Sequence, residues 1–162
     1  MKIYKFGGTS LGTAGRIKKV ADILVDAIQK DKIVVVVSAI HRVTDLLLES
    51  ATKACSGESS YRTTLEELDH QHLSIAGELF SGKRLDEVSV AIRADLSDLN
   101  NIVQGVFLLR ELSEKSLALV MSFGERLSAC IVSSYLQERG MVSFSLDARE
   151  LIVTDANYAD AR

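Results

Sequence analysis

The first quarter of the sequence predicts an α/β fold with a parallel sheet, and three observations carry that reading. Lys2-Ile3-Tyr4-Lys5-Phe6 reads as a strand that breaks at Gly7-Gly8. From Thr13 the apolar residues Ile17, Val20, Ala21, Leu24 and Ile28 recur at intervals of three and four, the spacing of one helix face. Ile33-Val34-Val35-Val36-Val37 is then continuous and β-branched, which predicts a strand buried on both faces of a parallel sheet. Strand, helix and strand in so short a span make a βαβ unit with a right-handed crossover. Ligands of such sheets sit beyond the carboxyl ends of the strands. That edge holds the Gly7-Gly8 turn and the Ser38-Ala39 exit.

Composition narrows the class. The chain has 162 residues, enough for one domain with its own core. A net charge of -3 lacks the basic footprint of a nucleic-acid binder. No run of eighteen apolar residues suggests a membrane span, and the apolar start is too short for a secretory signal. Cys55 and Cys130 are far apart and read as reduced thiols of a cytoplasmic protein. The three histidines have no metal-binding spacing. Proline is absent, so nothing interrupts long helices.

The remaining elements follow in order. After the polar exit Ser38–Asp45, Leu46, Leu47, Leu48 and Ala51 mark a helix, and Ser56–Ser60 a loop. Leu65, Leu68, His72, Ile75, Ala76 and Leu79 form the next helical stripe, with His72 as a half-buried packing residue. A break at Ser81-Gly82 leads into a long amphipathic helix from Val88 to Phe107, paired with the previous one as a hairpin. Asp86, Glu87, Asp95 and Asp98 are its solvated face. Another helix runs from Leu117 to Leu136 and ends at Gly140, a natural residue for the turn after a helix. Val142–Leu146 alternates and predicts a strand, Asp147–Glu150 a turn or short helix, and Leu151–Thr154 a second short strand.

Two places carry chemistry. Gly7 and Gly8 can adopt positive φ and let backbone approach a ligand. The N–H groups and dipole of the helix that follows favour an anion such as phosphate. Lys5 adds a positive charge there, and Thr9 and Ser10 add hydroxyls. The second place is Gly124-Glu125. Glycine inside a helix costs about 1 kcal/mol against alanine, so tight packing or a nearby ligand is expected. A plain surface pair of Glu125 with Arg126 is the alternative for the carboxylate.

Lys5-Phe6-Gly7-Gly8-Thr9-Ser10 resembles the N-terminal signature of aspartate kinases. Three further stretches are similar to that family, in the same order. They are Ser38-Ala39 with Val43-Thr44-Asp45-Leu46-Leu47, Ser122-Phe123-Gly124-Glu125-Arg126-Leu127-Ser128, and Leu146–Ile152 with Thr154-Asp155. The resemblance implies the amino-acid-kinase (carbamate-kinase-like) fold, a mainly parallel sheet between helical layers. It implies transfer of the ATP γ-phosphoryl, with Mg²⁺, to the side-chain carboxylate of L-aspartate. That reaction opens lysine, threonine and methionine biosynthesis. By position, Lys5 is the catalytic cation at the transferring phosphoryl, with Gly7, Gly8, Thr9 and Ser10 around it. Ser38, Thr44 and Glu125 hold aspartate, with Glu125 facing its α-ammonium, and no metal ligand is assigned.

The same resemblance makes residues 1–162 the amino-acid-substrate half of a catalytic domain, an incomplete fold without the nucleotide-binding half and regulatory domains. Such a half is expected to be inactive alone and to self-associate through its unpaired sheet edge, giving a homo-oligomer. The reading from another class is a non-catalytic module that binds an amino acid or phosphate. Kinases of the same fold acting on acetylglutamate, carbamate or uridylate share a Gly-Gly turn but are not expected to carry Ser122–Glu125. No P-loop motif is present.

Overall fold

A computed structural model describes residues 1–153. Its elements are β1 (Lys2–Phe6), α1 (Gly8–Leu11), α2 (Ala14–Ile28), β2 (Ile33–Val37), α3 (Val43–Ser56), α4 (Tyr61–Leu79), α5 (Gly82–Leu109), α6 (Glu114–Glu138) and a short 3-10 turn at Ala148–Glu150. The βαβ unit forms as expected. β1 and β2 pair in parallel, with Lys2 opposite Ile33 and Phe6 opposite Val37. Thr13 caps α2 by accepting the Arg16 N–H on its Oγ1 at 3.3 Å. The apolar stripe Ile17, Val20, Ala21 and Leu24 is buried, as the periodicity requires.

Two expectations about the sheet change. β2 is covered on one face only. Tyr4, Phe6, Ile33, Val35 and Val37 pack on the core, while Ile3, Val34 and Val36 stay 68%, 44% and 43% exposed. Among the described residues no helical layer lies over that second face. Val142–Leu146 joins no ladder among the described residues. Instead Ser143 is tied to α6, through its hydroxyl 3.2 Å from Ser133 Oγ and its carbonyl accepting from Gln137 Nε2 at 2.7 Å. Leu151–Val153 is likewise not a strand. The rest of that predicted strand, and the Thr154-Asp155 match, lie outside the described residues.

The helices build the core. α3 packs on α4, α5 and α6, and α4 with α5 forms the expected hairpin. Gly140, at φ 78, takes the left-handed turn after α6, and the Met141 N–H reaches back to the Leu136 carbonyl at 3.0 Å. α6 is long and apolar enough to cross a membrane by length and composition. Its apolar residues Val120, Phe123, Leu127 and Ile131 are spent on the protein core. His72 is wholly buried rather than half-buried. Its Nδ1 donates to the Leu68 carbonyl at 2.7 Å, and its Nε2 has no partner among the described residues. Burial pushes its pKa down, against smaller upward effects of the Leu68 carbonyl and Asp69.

The two strand exits and α6 meet at Ala39. A Cβ added to Gly8 would lie 2.5 Å from the Ala39 carbonyl oxygen. One added to Gly124 would lie 2.7 Å from Ala39 Cβ and 3.3 Å from Leu47 Cδ1. Close approach, not unusual dihedrals, requires these glycines, because neither has positive φ. Gly7, with φ -80 and ψ 167, has nothing within 4 Å of such a Cβ.

Two outcomes follow. Gly8→Ala is expected to destabilise by about 1–3 kcal/mol, because a backbone carbonyl cannot give way as a side chain can. Gly7→Ala should stay within about 0.5 kcal/mol of the parent. Equilibrium urea unfolding of both variants measures the contrast, and equal losses would contradict the packing described. His72 sets a pH dependence. Its folded pKa is depressed, so below about pH 6.5 the unfolded chain takes up a proton that the folded one refuses. Stability is therefore full above that pH and falls as pH drops through it. Unfolding midpoints from about pH 7.5 to about 5.5 should fall for the parent and less steeply for His72→Gln; parallel slopes would exclude His72 as the source.

Candidate active site

Lys5 at the end of β1, the α1 turn and the Ser38 exit of β2 lie at the sheet's carboxyl edge, and α6 brings Glu125 to it. Lys5 lies near the end of β1, in register with Val36, on the open face with Ile3 and Val34. Its side chain makes no hydrogen bond or ion pair among the described residues. Gly7 is the exposed N-cap of α1, and Gly8, Thr9 and Ser10 form that short helix. The expectation that the long helix aims its dipole at this turn is corrected. α1 has four residues, and α2 begins only at Ala14 behind its own Thr13 cap. The turn therefore offers local N–H groups rather than a macrodipole. The Ser10 N–H is already used by the Gly7 carbonyl at 2.9 Å.

Sequence reasoning missed a second cation beside this turn. Arg16 Nη1 donates to the Thr9 carbonyl at 2.6 Å. With Lys19, Phe6, Thr9 and Ser10, Arg16 lines a groove along α1. Its signal was present in the sequence, since Arg16 lies one turn into the helix that Thr13 caps.

At the other exit, Ser38 leaves β2 with its N–H donating to the Phe6 carbonyl at 3.0 Å, which joins the two strand ends. Ala39 is 3% exposed, and its N–H donates to Glu125 Oε1 at 3.3 Å. Ser128, one turn further along α6, donates its hydroxyl to the Ser38 carbonyl at 2.7 Å. Thus Ala39 and Glu125 come together across 86 positions of sequence. Thr44 stands exposed in the first turn of α3 and makes no side-chain hydrogen bond among the described residues. The loop between Ser38 and Thr44 is pinned from outside, with Gln71 Nε2 donating to the His41 carbonyl at 3.0 Å. Arg42 adopts a left-handed φ of 69, a conformation costing about 1–2 kcal/mol for a residue with a Cβ.

The alternative of a Glu125–Arg126 surface pair does not form. Arg126 turns to Asp95 on α5, to which its Nη2 donates, and to Asp147 at 3.9 Å. It also lies over the Phe123 ring, 4.4 Å from the centroid. Asp95 is accordingly not part of a solvated face. Its carboxylate is half-buried between α5 and α6, and burial raises its pKa while Arg126 opposes the rise. Arg149 continues the cluster. It grips Asp147 with Nε at 2.9 Å and Nη2 at 2.5 Å, and this guanidinium holds the Asp147 carboxyl down at about 2.

The family model described as the amino acid kinase family matches residues 1–161. Among curated proteins, the chain is 33% identical over 158 residues to a chloroplastic bifunctional aspartokinase/homoserine dehydrogenase 1 of Zea mays. The match covers 98% of this chain and 17% of that protein. It is 36% identical over 160 residues to an aspartokinase of Chlamydia muridarum, covering 98% of this chain and 32% of the relative. Among solved structures it is similar to E. coli aspartokinase III in complex with aspartate and ADP, at a TM-score of 0.87 and 23% identity. That likeness covers 99% of this chain and 34% of the other. The chain therefore spans from 17% to 34% of the length of these relatives. The α/β class, the parallel pairing and the match over nearly the whole chain agree, and the chain belongs to the amino acid kinase family, with aspartokinases among its relatives.

Proposed function

We propose that this chain forms the amino-acid-binding side of an aspartate kinase, which phosphorylates the side-chain carboxylate of L-aspartate at the expense of ATP. The observation that carries the reading is the hydrogen bond from the Ala39 N–H to Glu125. It brings a carboxylate with no ion pair among the described residues to the strand exits beside the Gly7-Gly8 turn. One edge of the sheet then offers an anion for an α-ammonium and, at Lys5, a cation for a phosphoryl group. The names of the relatives support the same substrate.

In this reading Glu125 pairs the α-ammonium with Oε2 while Oε1 keeps the Ala39 N–H. Ser38 and Thr44 supply hydroxyls to the bound amino acid. Lys5 balances negative charge as the phosphoryl group passes to the acceptor carboxylate, and the open space above Gly7 admits that group. Phosphoryl transfer relies on such fixed charges and donors rather than on covalent help. Among the described residues no group of three or more His, Cys, Asp or Glu side chains could hold Mg²⁺. A lysine, threonine or methionine pathway, and a soluble compartment of the cell, belong to the same proposal.

Two variants in the full-length product of the gene test it. Lys5→Ala should lower kcat by about 10²–10³ with little change in the KM for aspartate, because a cation acting in the transition state appears in kcat. Unchanged kcat with lost aspartate binding would reverse the roles given to Lys5. Glu125→Gln keeps an oxygen for the Ala39 N–H and removes only charge. It should weaken aspartate binding at least about tenfold and leave ATP binding alone. An aspartate KM within twofold of the parent would return Glu125 to the helix surface. A hydroxamate assay on residues 1–162 alone should give no turnover; activity near that of the longer relatives would mean that residues 1–162 themselves hold the nucleotide.

A further inference from the structure

We infer that Ser128 is a positioning residue for the acceptor site, an inference that rests on the proposed function. Ser38 and Ala39 share one peptide group, and α6 holds it from both sides. Ser128 Oγ donates to its carbonyl at 2.7 Å, and Glu125 Oε1 accepts from its N–H at 3.3 Å. The two side chains are three residues apart, so they project from the same face of α6. Ser128 is 1% exposed and touches no open surface, so its action is through this peptide. Its hydroxyl has one proton. The Glu125 carbonyl, at 3.3 Å, is the weaker of its two acceptors, so the proton goes to Ser38.

The consequence is directional. A peptide plane fixed at its carbonyl presents its N–H along one line, and that line ends at Glu125 Oε1. Fixing the carboxylate by one oxygen leaves the other oriented for a cation. Without the Ser128 hydroxyl, the Ser38 carbonyl loses its partner and the plane can rotate. The Glu125 carboxylate then loses its anchor while its charge remains. Ser38 itself is moved by the same rotation.

The test compares the parent with Ser128→Ala, Ser128→Thr and Ser133→Ala in the full-length product of the gene. Ser133 is a second buried serine of α6, bonded to Ser143 rather than to the Ser38-Ala39 peptide. Steady-state kinetics with L-aspartate and ATP are read beside calorimetric titration of L-aspartate and amide hydrogen exchange at Ala39. Ser128→Ala should raise the Kd and KM for aspartate about three- to tenfold, leave the KM for ATP unchanged and speed Ala39 exchange. Ser128→Thr, which keeps the hydroxyl, should recover most of the affinity, and Ser133→Ala should leave aspartate affinity at the parent value. A parent that binds aspartate while Ser128→Ala stays within twofold of it overturns the positioning role and leaves the proposed function standing. Equal losses in Ser128→Ala and Ser133→Ala overturn it too, because they reflect general loosening of α6. A parent that does not bind aspartate overturns the proposed function and this inference together.

Discussion

The close approach at Ala39 is the constraint on which the rest of the site depends. Two chain segments close on Ala39 at the exit of β2: the α1 turn at Gly8 and the middle of α6 at Gly124. Both forgo a side chain so that Ala39 fits between them. Gly124 alone costs α6 about 1 kcal/mol of helix propensity. The two hydrogen bonds that the approach permits, from Ala39 to Glu125 and from Ser128 to Ser38, contribute about 0.5–1.5 kcal/mol each. They offset the glycine, and the surrounding contacts of Val43 and Leu47 with α6 add apolar burial. A larger residue at Gly124 would meet Ala39 and Leu47 and press α6 outward, carrying Glu125 away from the strand exits.

Much of the scaffold was legible in the sequence because its signals are local. The β1–α2–β2 unit, the hairpin of α4 and α5, and the end of α6 at Gly140 all follow from periodicity and from residues that cap or break helices. What stayed hidden depends on contacts between distant segments. His72 looked like one more member of a stripe, and its full burial depends on which helices cover α4. Asp95 matched the polar face of α5, yet it is drawn inward by Arg126 from α6. Val142–Leu146 has strand alternation, but a strand needs a neighbour, and here Ser143 is bonded to a helix instead. The open face of β2 has the same origin, since a continuous β-branched run suits two covered faces without saying what covers the second.

The site residues divide in the same way. Family motifs picked out Lys5, the Gly7-Gly8 turn, Ser38, Thr44 and Glu125; the fold joins the Ser38-Ala39 peptide to Glu125 beside the end of β1 and leaves Thr44 exposed in the first turn of α3. Motifs could not separate the two glycines, of which Gly8 is a packing residue and Gly7 faces open space. Nor did they single out Ser128, which sits inside the quoted motif but has no chemistry of its own to attract notice. Its one signal was a polar residue on the buried face of α6, among Gly124, Leu127 and Ile131. A buried hydroxyl needs a partner, and the partner it found is the Ser38 carbonyl.

Charge at this edge is set by where the arginines go. Had Arg126 folded back on Glu125, the carboxylate would have been neutralised and would have had little to offer an ammonium. Asp95 and Asp147 prevent that by engaging Arg126 from the other side, and Phe123 beneath the guanidinium fixes its plane. Arg149 in turn satisfies Asp147, so the cluster forms an alternating chain, Asp95–Arg126–Asp147–Arg149, whose charges balance within itself. Ion pairs this near the surface contribute little to stability one by one. Their effect is selective, because they keep a neighbouring cation away from Glu125. The carboxylate is left with a neutral amide as its one partner among the described residues. An amide steadies a carboxylate without cancelling its charge, which is the condition a site for an ammonium must meet.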